Sequence, residues 1–210
     1  MAKEIDPKQT KRSQAFEMWM KAPMPMVTLF KTLNVTRLVK ISKKRGYKFN
    51  ALMCWCIGKA AGGIEEFYML PVGDKLLGYD ELAVSTVVAL DDGDISTCDI
   101  HFSDDLVAFH RDYIELTEEV RRSGQPHDLS NELMVIGTSA IPGCELDGAV
   151  NIYAGIYNNP FLIWGKYRRG FCKVRLPISF QFHHSQMDGA QAAAFLENLQ
   201  KVINSLSIRP

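Results

Sequence analysis

The 210-residue sequence has no excess of charge of either sign, because 24 lysines and arginines balance 24 aspartates and glutamates. Nucleic acids and anionic membrane surfaces select basic proteins, so we expect neither as the main partner. No run approaches the roughly 18 apolar residues of a membrane-spanning helix. The N-terminal segment MAKEIDPKQTKRSQ also lacks the apolar stretch of a signal peptide, which favours a cytoplasmic protein.

Cysteines are few, odd in number and mostly surrounded by apolar residues, which predicts buried thiols. They are Cys54, Cys56, Cys98, Cys144 and Cys172. The close pair Cys54-x-Cys56 lacks the two-residue spacer of zinc and redox motifs, and no second pair completes a ligand set. We therefore expect no metal site.

Internal repeats, low-complexity tracts and Gly/Ser linkers are absent, which favours a single domain over residues 1–210. A hydrophobic fraction of 47% and a charged fraction of 23% are typical of a globular protein. A chain of this length buries a core without disulfides or a structural metal.

Hydrophobic periodicity and turn residues predict both helices and strands. The helices are expected at residues 12–21, 36–44, 50–67, after Ser103 up to Gly124, and 189–206, with Thr36 and Ser103 as N-caps. The strands are expected at residues 26–35, 75–79, 83–90, 94–102, 133–139, 149–156, 161–166 and 172–182. Asp91-Asp92-Gly93 is a good hairpin turn. The order predicts an α+β arrangement within the broad α/β class: a two-layer sandwich in which helices cover one large mixed sheet.

The most informative residues are two adjacent histidines, His183 and His184. They follow the alternating strand KVRLPISFQF and precede Ser-Gln-Met-Asp188-Gly189, which opens the last helix. A strand-to-helix turn places side chains at the end of a sheet, where sites are often built. Asp188 stands where an N-cap or a buried charge partner belongs. A capped turn with two incidental histidines explains the spacing equally well. The other histidines, His101, His110 and His127, are expected to be structural or exposed.

The segment from His183 to Gly189 resembles the HHxxxDG motif of the chloramphenicol acetyltransferase family of coenzyme A-dependent acyltransferases. Four further blocks resemble that family in the same order and at similar spacing. They are Ile5-Asp6-Pro7-Lys8 with Arg12 and Phe16-Glu17, then Tyr47-Lys48-Phe49, Thr138-Ser139-Ala140-Ile141-Pro142 and Gly165-Lys166-Tyr167. The last helix also resembles the catalytic core of dihydrolipoyl acyltransferases, but the doubled histidine favours the former family.

The resemblance implies a catalytic role for His184 and Ser139. His184 is the expected general base, which takes the proton from a substrate hydroxyl so that the oxygen attacks the thioester of acetyl-CoA. Ser139 is expected to donate a hydrogen bond to the oxyanion. Asp188 and Arg12 match a structural salt bridge, with a simple helix cap and a solvated arginine as the alternative.

Two lysines, Lys48 and Lys166, match family residues close to the coenzyme A phosphates, although either fits an ordinary surface lysine as well. Acetyl-CoA is implied as a co-substrate, with no bound cofactor. The sequence departs from the family at Gly143, where tryptophan is usual, and at Ile163, where threonine is frequent. Trp19 stands where an aromatic residue contacts the acceptor, so the acceptor pocket has changed.

The expected function is an O-acetyltransferase that moves an acetyl group from acetyl-CoA to a small hydroxylated acceptor, with antibiotic resistance as the implied role. One alternative is a non-catalytic trimeric binding protein of the same fold, and another is an acyltransferase with a different donor or acceptor. The resemblance also implies a homotrimer in which the His184 turn of one subunit faces the acceptor pocket of its neighbour, with Trp19 in that pocket.

Overall fold

The computed structural model of the chain describes residues 2–207. The helices are α1 (Ser13–Trp19), α2 (Thr36–Arg45), α3 (Phe49–Ala61), α4 (Leu106–Ser123) and α5 (Gly189–Ser205). The strands are β1 (Lys3–Ile5), β2 (Met26–Asn34), β3 (Met69–Val72), β4 (Lys75–Gly78), β5 (Leu82–Ala89), β6 (Ile95–His101), β7 (Met134–Ile141), β8 (Phe161–Gly165), β9 (Arg168–Arg169) and β10 (Val174–His183). Short 3-10 turns cover Pro7–Gln9 and Glu65–Tyr68.

A seven-stranded mixed sheet organises the molecule. Its strands lie in the order β2, β10, β8, β7, β5, β6, and the short β9 pairs with β10. Strand β7 is parallel to both β5 and β8, whereas the remaining neighbours are antiparallel. A small separate sheet has the order β1, β4, β3. The predicted α/β architecture, a large mixed sheet covered by helices, is confirmed.

The core lies between the large sheet and the helices. Side chains alternate along β10, so Ile178, Phe180 and Phe182 are buried on the helical side, and the Phe180 ring lies 4.7 Å from the Phe195 ring of α5. Helix α3 is buried on almost every side from Ala51 to Ile57, as its continuous apolar sequence predicts. The C-terminal end of β10 is thereby fixed against a rigid layer.

The strand expected over residues 149–156 is wrong. The apolar residues that suggested it are largely exposed: Val150, Ile152 and Ile156. The backbone of this segment bonds to side chains on the outer face of β10 instead. The Ala149 amide donates to Ser179 Oγ at 2.7 Å, and Gln181 Nε2 donates to the Asn151 carbonyl at 3.2 Å. The alternating apolar side chains of this segment therefore do not contribute to the core of this chain.

The predicted helix over residues 50–67 is shorter than expected, since α3 ends at Ala61 before the Gly62-Gly63 pair, whose backbone freedom disfavours a helix. The expected caps also differ. Asp105, not Ser103, accepts the amide hydrogens of Val107 and Ala108. Thr36 is the first residue of α2 and not its cap.

The hairpin turn predicted at residues 91–93 joins β5 to β6, and Gly93 adopts a φ of 92° that favours glycine.

Of the five thiols expected to be buried, only Cys54, Cys56 and Cys98 are, and burial raises the pKa of the Cys54 thiol to about 12. Cys144 and Cys172 are exposed, because both lie in irregular segments outside the core. No helix in the described range, 2–207, is long and apolar enough to cross a membrane.

Candidate active site

The turn after β10 presents His184 beside α1. The strand pairs with β2 as far as His183, and the His184 amide then donates to the Pro25 carbonyl at 2.8 Å. The imidazole of His184 stacks on the indole of Trp19, with ring centroids 4.6 Å apart and planes inclined by 5°. Its side chain retains 29% exposure. His184 is therefore an oriented ring with access to solvent.

The side chain of Arg12, at the start of α1, binds the backbone of this turn. Its guanidinium, 6% exposed, donates two hydrogen bonds to the carboxylate of Asp188, at 2.5 and 2.9 Å. It also donates to the carbonyls of His184, at 2.7 Å, and Ser185, at 3.3 Å. Such a bidentate pair is strong and directional. The Arg12 guanidinium keeps the pKa of the Asp188 carboxyl below its ordinary value.

Asp188 has two further contacts. It is the N-cap of α5 and forms a capping box with Gln191, whose Oε1 accepts the Asp188 amide hydrogen at 3.1 Å. Its Oδ1 lies 3.1 Å from Nδ1 of His184, in ion-pair range but not in hydrogen-bonding orientation. Because Nδ1 is buried there, Nε2 is the ring nitrogen left for a substrate proton.

His183 occupies a different environment from its neighbour. It is 1% exposed, and its Nδ1 accepts the Ser185 amide hydrogen at 3.1 Å. Burial, together with the neighbouring His184, lowers the pKa of His183 to about 4, so the ring is neutral at pH 7. His183 therefore stabilises the turn through this hydrogen bond, and His184 is the accessible imidazole of the pair.

Ser139 does not lie near His184 within one chain. It is half-buried on β7, opposite Ile163 of β8, which in turn is opposite Ser179 of β10. His184 follows Ser179 by five residues, which corresponds to about 16 Å along an extended strand. The structure therefore separates two residues that the sequence analysis assigns to one reaction.

The strand end beyond Ser139 borders a cavity of about 960 Å³. It is called here the coenzyme cavity because the two lysines expected to contact coenzyme A line it. It brings together Lys48, at the start of α3, and Lys166, directly after β8. Ala140, adjacent to Ser139, and the buried Trp164 also line it. Trp164 donates from its indole nitrogen to Asn50 Oδ1 at 3.4 Å. Two distant segments thus supply cations to one pocket.

The structure changes the expected place of Trp19. Its ring stacks on His184 of the same chain, so the residue expected to contact the acceptor and the expected base do not need a subunit boundary between them. Arg169 also lines the coenzyme cavity, and the sequence motifs do not identify it. A cation at this position is indicated by the basic run Lys166-Tyr167-Arg168-Arg169. The alternation of side chains along a hairpin strand decides which of the two arginines faces the cavity.

The two departures from the family motifs, Ile163 and Gly143, lie close to Ser139 in the sheet or in the sequence. Ile163 places an aliphatic side chain next to Ser139 in the sheet. A Cβ atom added at Gly143 would meet no atom within 4 Å, so packing does not require glycine there. Across residues 2–207, no three His, Cys, Asp or Glu side chains are grouped to hold a metal ion.

Known proteins are similar to this chain over almost its whole length. A family model described as chloramphenicol acetyltransferase matches residues 2–200. The sequence is 25% identical over 208 residues to chloramphenicol acetyltransferase 3 of Escherichia coli, covering 96% of this chain and 97% of that protein. It is 27% identical over 210 residues to a chloramphenicol acetyltransferase of Clostridium perfringens, covering 96% and 98%.

Solved structures share the fold. A chloramphenicol acetyltransferase matches with a TM-score of 0.86 and 19% identity, over 97% of this chain and all of that one. The dihydrolipoamide acetyltransferase of Azotobacter vinelandii matches with a TM-score of 0.67 and 17% identity, over 92% of this chain and 86% of that one. At these identities the structures indicate a common fold only.

Proposed function

The chain belongs to the chloramphenicol acetyltransferase family and is an acetyl-CoA-dependent acetyltransferase, and we propose that it acetylates a hydroxyl of a small acceptor with His184 as the general base. The observation that carries this proposal is the setting of His184. Trp19 stacks on its ring, Asp188 faces its Nδ1, and the ring retains solvent access. This arrangement orients one imidazole nitrogen towards a substrate.

The proton transfers follow from that orientation. Nε2 of His184 accepts the proton of the acceptor hydroxyl as the oxygen attacks the thioester carbonyl. The carboxylate of Asp188, 3.1 Å from Nδ1, stabilises the imidazolium that forms. When the tetrahedral intermediate collapses, the same imidazolium returns the proton to the departing thiolate. Arg12 takes no part in proton transfer and fixes the turn through its carbonyl and carboxylate contacts.

Ser139 is the proposed donor to the oxyanion. A placed hydroxyl stabilises the charge that develops only in the intermediate and so increases kcat. Its distance from His184 along the sheet means that the two act together only if different subunits supply them. The proposed site is therefore shared between chains.

A homotrimer fits that requirement. A cyclic trimer has three equivalent heterologous interfaces, each of which joins two different surfaces. The chain exposes large apolar residues on the outer side of the sheet, as an interface requires. They include Phe30, Val150, Ile152, Ile156 and Tyr157. We propose that these residues face a neighbouring copy of the chain.

The coenzyme cavity is the proposed site for acetyl-CoA. Lys48 and Lys166 line it and have no carboxylate within ion-pair distance among residues 2–207, so both are available to phosphate groups. Acetyl-CoA is a co-substrate in this proposal, and no resident cofactor takes part. The buried thiols are consistent with a reducing compartment, and we propose the cytoplasm.

The acceptor is proposed to be chloramphenicol or a similarly sized hydroxylated compound, with antibiotic resistance as the role. The curated relatives carry that antibiotic in their names. Trp19 and Ile163 differ from the usual family residues, and Trp19 contacts the base directly. We therefore expect acceptor preference, more than catalytic chemistry, to distinguish this chain from those relatives.

The test combines thiol release from acetyl-CoA with a panel that includes chloramphenicol, other alcohols and amines. Acetylation of a hydroxyl supports the proposal. Coenzyme A binding without transfer to any member of the panel would support the non-catalytic trimeric alternative. Transfer only to amines, or only from a longer acyl donor, would support the alternative with a different donor or acceptor.

A further inference from the structure

Arg169 stands at the edge of the coenzyme cavity, three residues after Lys166. It is exposed on the short strand β9 and lines both this cavity and a neighbouring one of about 590 Å³. Arg168 lines the smaller cavity but not the coenzyme cavity. The hairpin between β8 and β10 therefore directs one of two adjacent arginines to the space proposed for acetyl-CoA.

Tyr167 holds the guanidinium of Arg169 in place. The guanidinium carbon lies 5.4 Å from the centre of the tyrosine ring, and Nη2 donates to the tyrosine hydroxyl at 3.2 Å. Tyr167 in turn packs against Phe49 at the start of α3, with ring centroids 5.3 Å apart. A cation–π contact orients an arginine without neutralising its charge.

The charge of Arg169 is not neutralised within the described part of the chain. Across residues 2–207 no carboxylate lies within ion-pair distance of it. Glu145, which also lines the coenzyme cavity, pairs with Arg168 at 3.4 Å, and Arg168 additionally pairs with Asp147 at 2.7 Å. Glu145 is thus paired with Arg168, and Arg169 remains available to bind an anionic ligand.

We propose that Arg169 is a further coenzyme-binding residue, which pairs with a phosphate of the nucleotide half of coenzyme A. This inference rests on the proposed function. Coenzyme A carries a diphosphate and a 3′-phosphate. The cavity offers three cations that form no ion pair with the described residues, namely Lys48, Lys166 and Arg169. The planar fork of a guanidinium binds phosphate in two-point contact, which a lysine does not provide.

Calorimetric titration of the whole protein with coenzyme A and with dephospho-coenzyme A tests the assignment. Arg169→Gln is expected to weaken coenzyme A binding about tenfold, since a charge-assisted hydrogen bond is lost at an exposed site. Arg169→Lys is expected to restore part of that affinity. Arg175→Gln is the matched control, because Arg175 is exposed, lines the smaller cavity but not the coenzyme cavity, and carries the same charge.

A loss seen with coenzyme A alone assigns Arg169 to the 3′-phosphate, and an equal loss with both ligands assigns it to the diphosphate. Either result supports the inference. An affinity within twofold of wild type, or a loss that Arg175→Gln reproduces, overturns it. A wild-type protein that bound no coenzyme A would overturn the proposed function itself, so the two failures are distinguishable.

Discussion

Arg12 and Asp188 lie 176 positions apart in the sequence and form a bidentate ion pair that ties the start of α1 to the turn carrying His184. The same guanidinium donates to the carbonyl of His184. The proposed base is therefore held from two directions, by its own backbone and by the carboxylate beside its ring. The proposed catalytic geometry and the folding stability are both expected to depend on the same buried arginine.

Asp188→Asn should reduce both stability and kcat. The substitution leaves the charge of Arg12 buried without its partner, which costs about 2 kcal/mol after allowance for the 45% exposure of the Asp188 side chain. Chemical denaturation measures this loss. Asp147→Asn is the control, because it breaks an arginine pair whose carboxylate is 93% exposed and should cost under about 1 kcal/mol. Equal effects of the two substitutions would show that the Arg12 pair has no special structural role.

His183 should make folding stability depend on pH between its two pKa values. Its pKa is about 4 in the folded protein and 6.5 ordinarily, so the unfolded chain alone takes up a proton between those values. Stability therefore falls as the pH drops from about 6.5 to 4. His183→Asn keeps an acceptor for the Ser185 amide but does not titrate, and should flatten that part of the profile.

Denaturation of wild type and His183→Asn at pH 7 and pH 5 measures the difference. His101→Asn serves as the comparison, since the side chain of that histidine is 55% exposed and pairs with Glu81 in a solvated contact. A wild-type slope that persists unchanged in His183→Asn would contradict the assignment of a buried, neutral His183.

Ser139→Ala should lower kcat about 10²-fold with little change in KM, as expected for the loss of one oxyanion donor. Steady-state kinetics with acetyl-CoA and the preferred acceptor measures both constants. Ser179→Ala, at the same level of the sheet on β10, tests whether loss of any nearby hydroxyl has this effect. A change confined to KM would make Ser139 a binding residue.

The proposed shared site predicts complementation between two inactive variants. His184→Ala and Ser139→Ala subunits, unfolded together and refolded at equal ratio, should recover about a quarter of wild-type activity, because one in four interfaces joins an intact histidine to an intact serine. Light scattering should give about three times the 23.7 kDa chain mass.

His184→Ala mixed with Trp19→Ala is the negative control, since both residues belong to the same side of the site in one chain. No recovery in the first mixture, or a fully active monomer, would place the whole site within a single chain.

Local patterns in the sequence predict most of the fold and the turn that carries His184 in the candidate site. Alternation identifies β10, and the doubled histidine before Asp188-Gly189 identifies its turn. Such patterns fail at residues 149–156, where apolar side chains such as Ile152 are exposed on the surface of the chain. They also do not reveal that Trp19 stacks on His184, or that Arg169 and not Arg168 faces the coenzyme cavity, because both depend on tertiary packing.

The kcat of His184→Ala for acetyl transfer tests the account most directly. We expect a decrease of at least about 10²-fold, the scale of a lost general base, with coenzyme A affinity nearly unchanged. His183→Asn, at the adjacent residue, should retain much more activity. Wild-type kcat in His184→Ala, or a larger loss in His183→Asn, would contradict the assignment of His184 as the base.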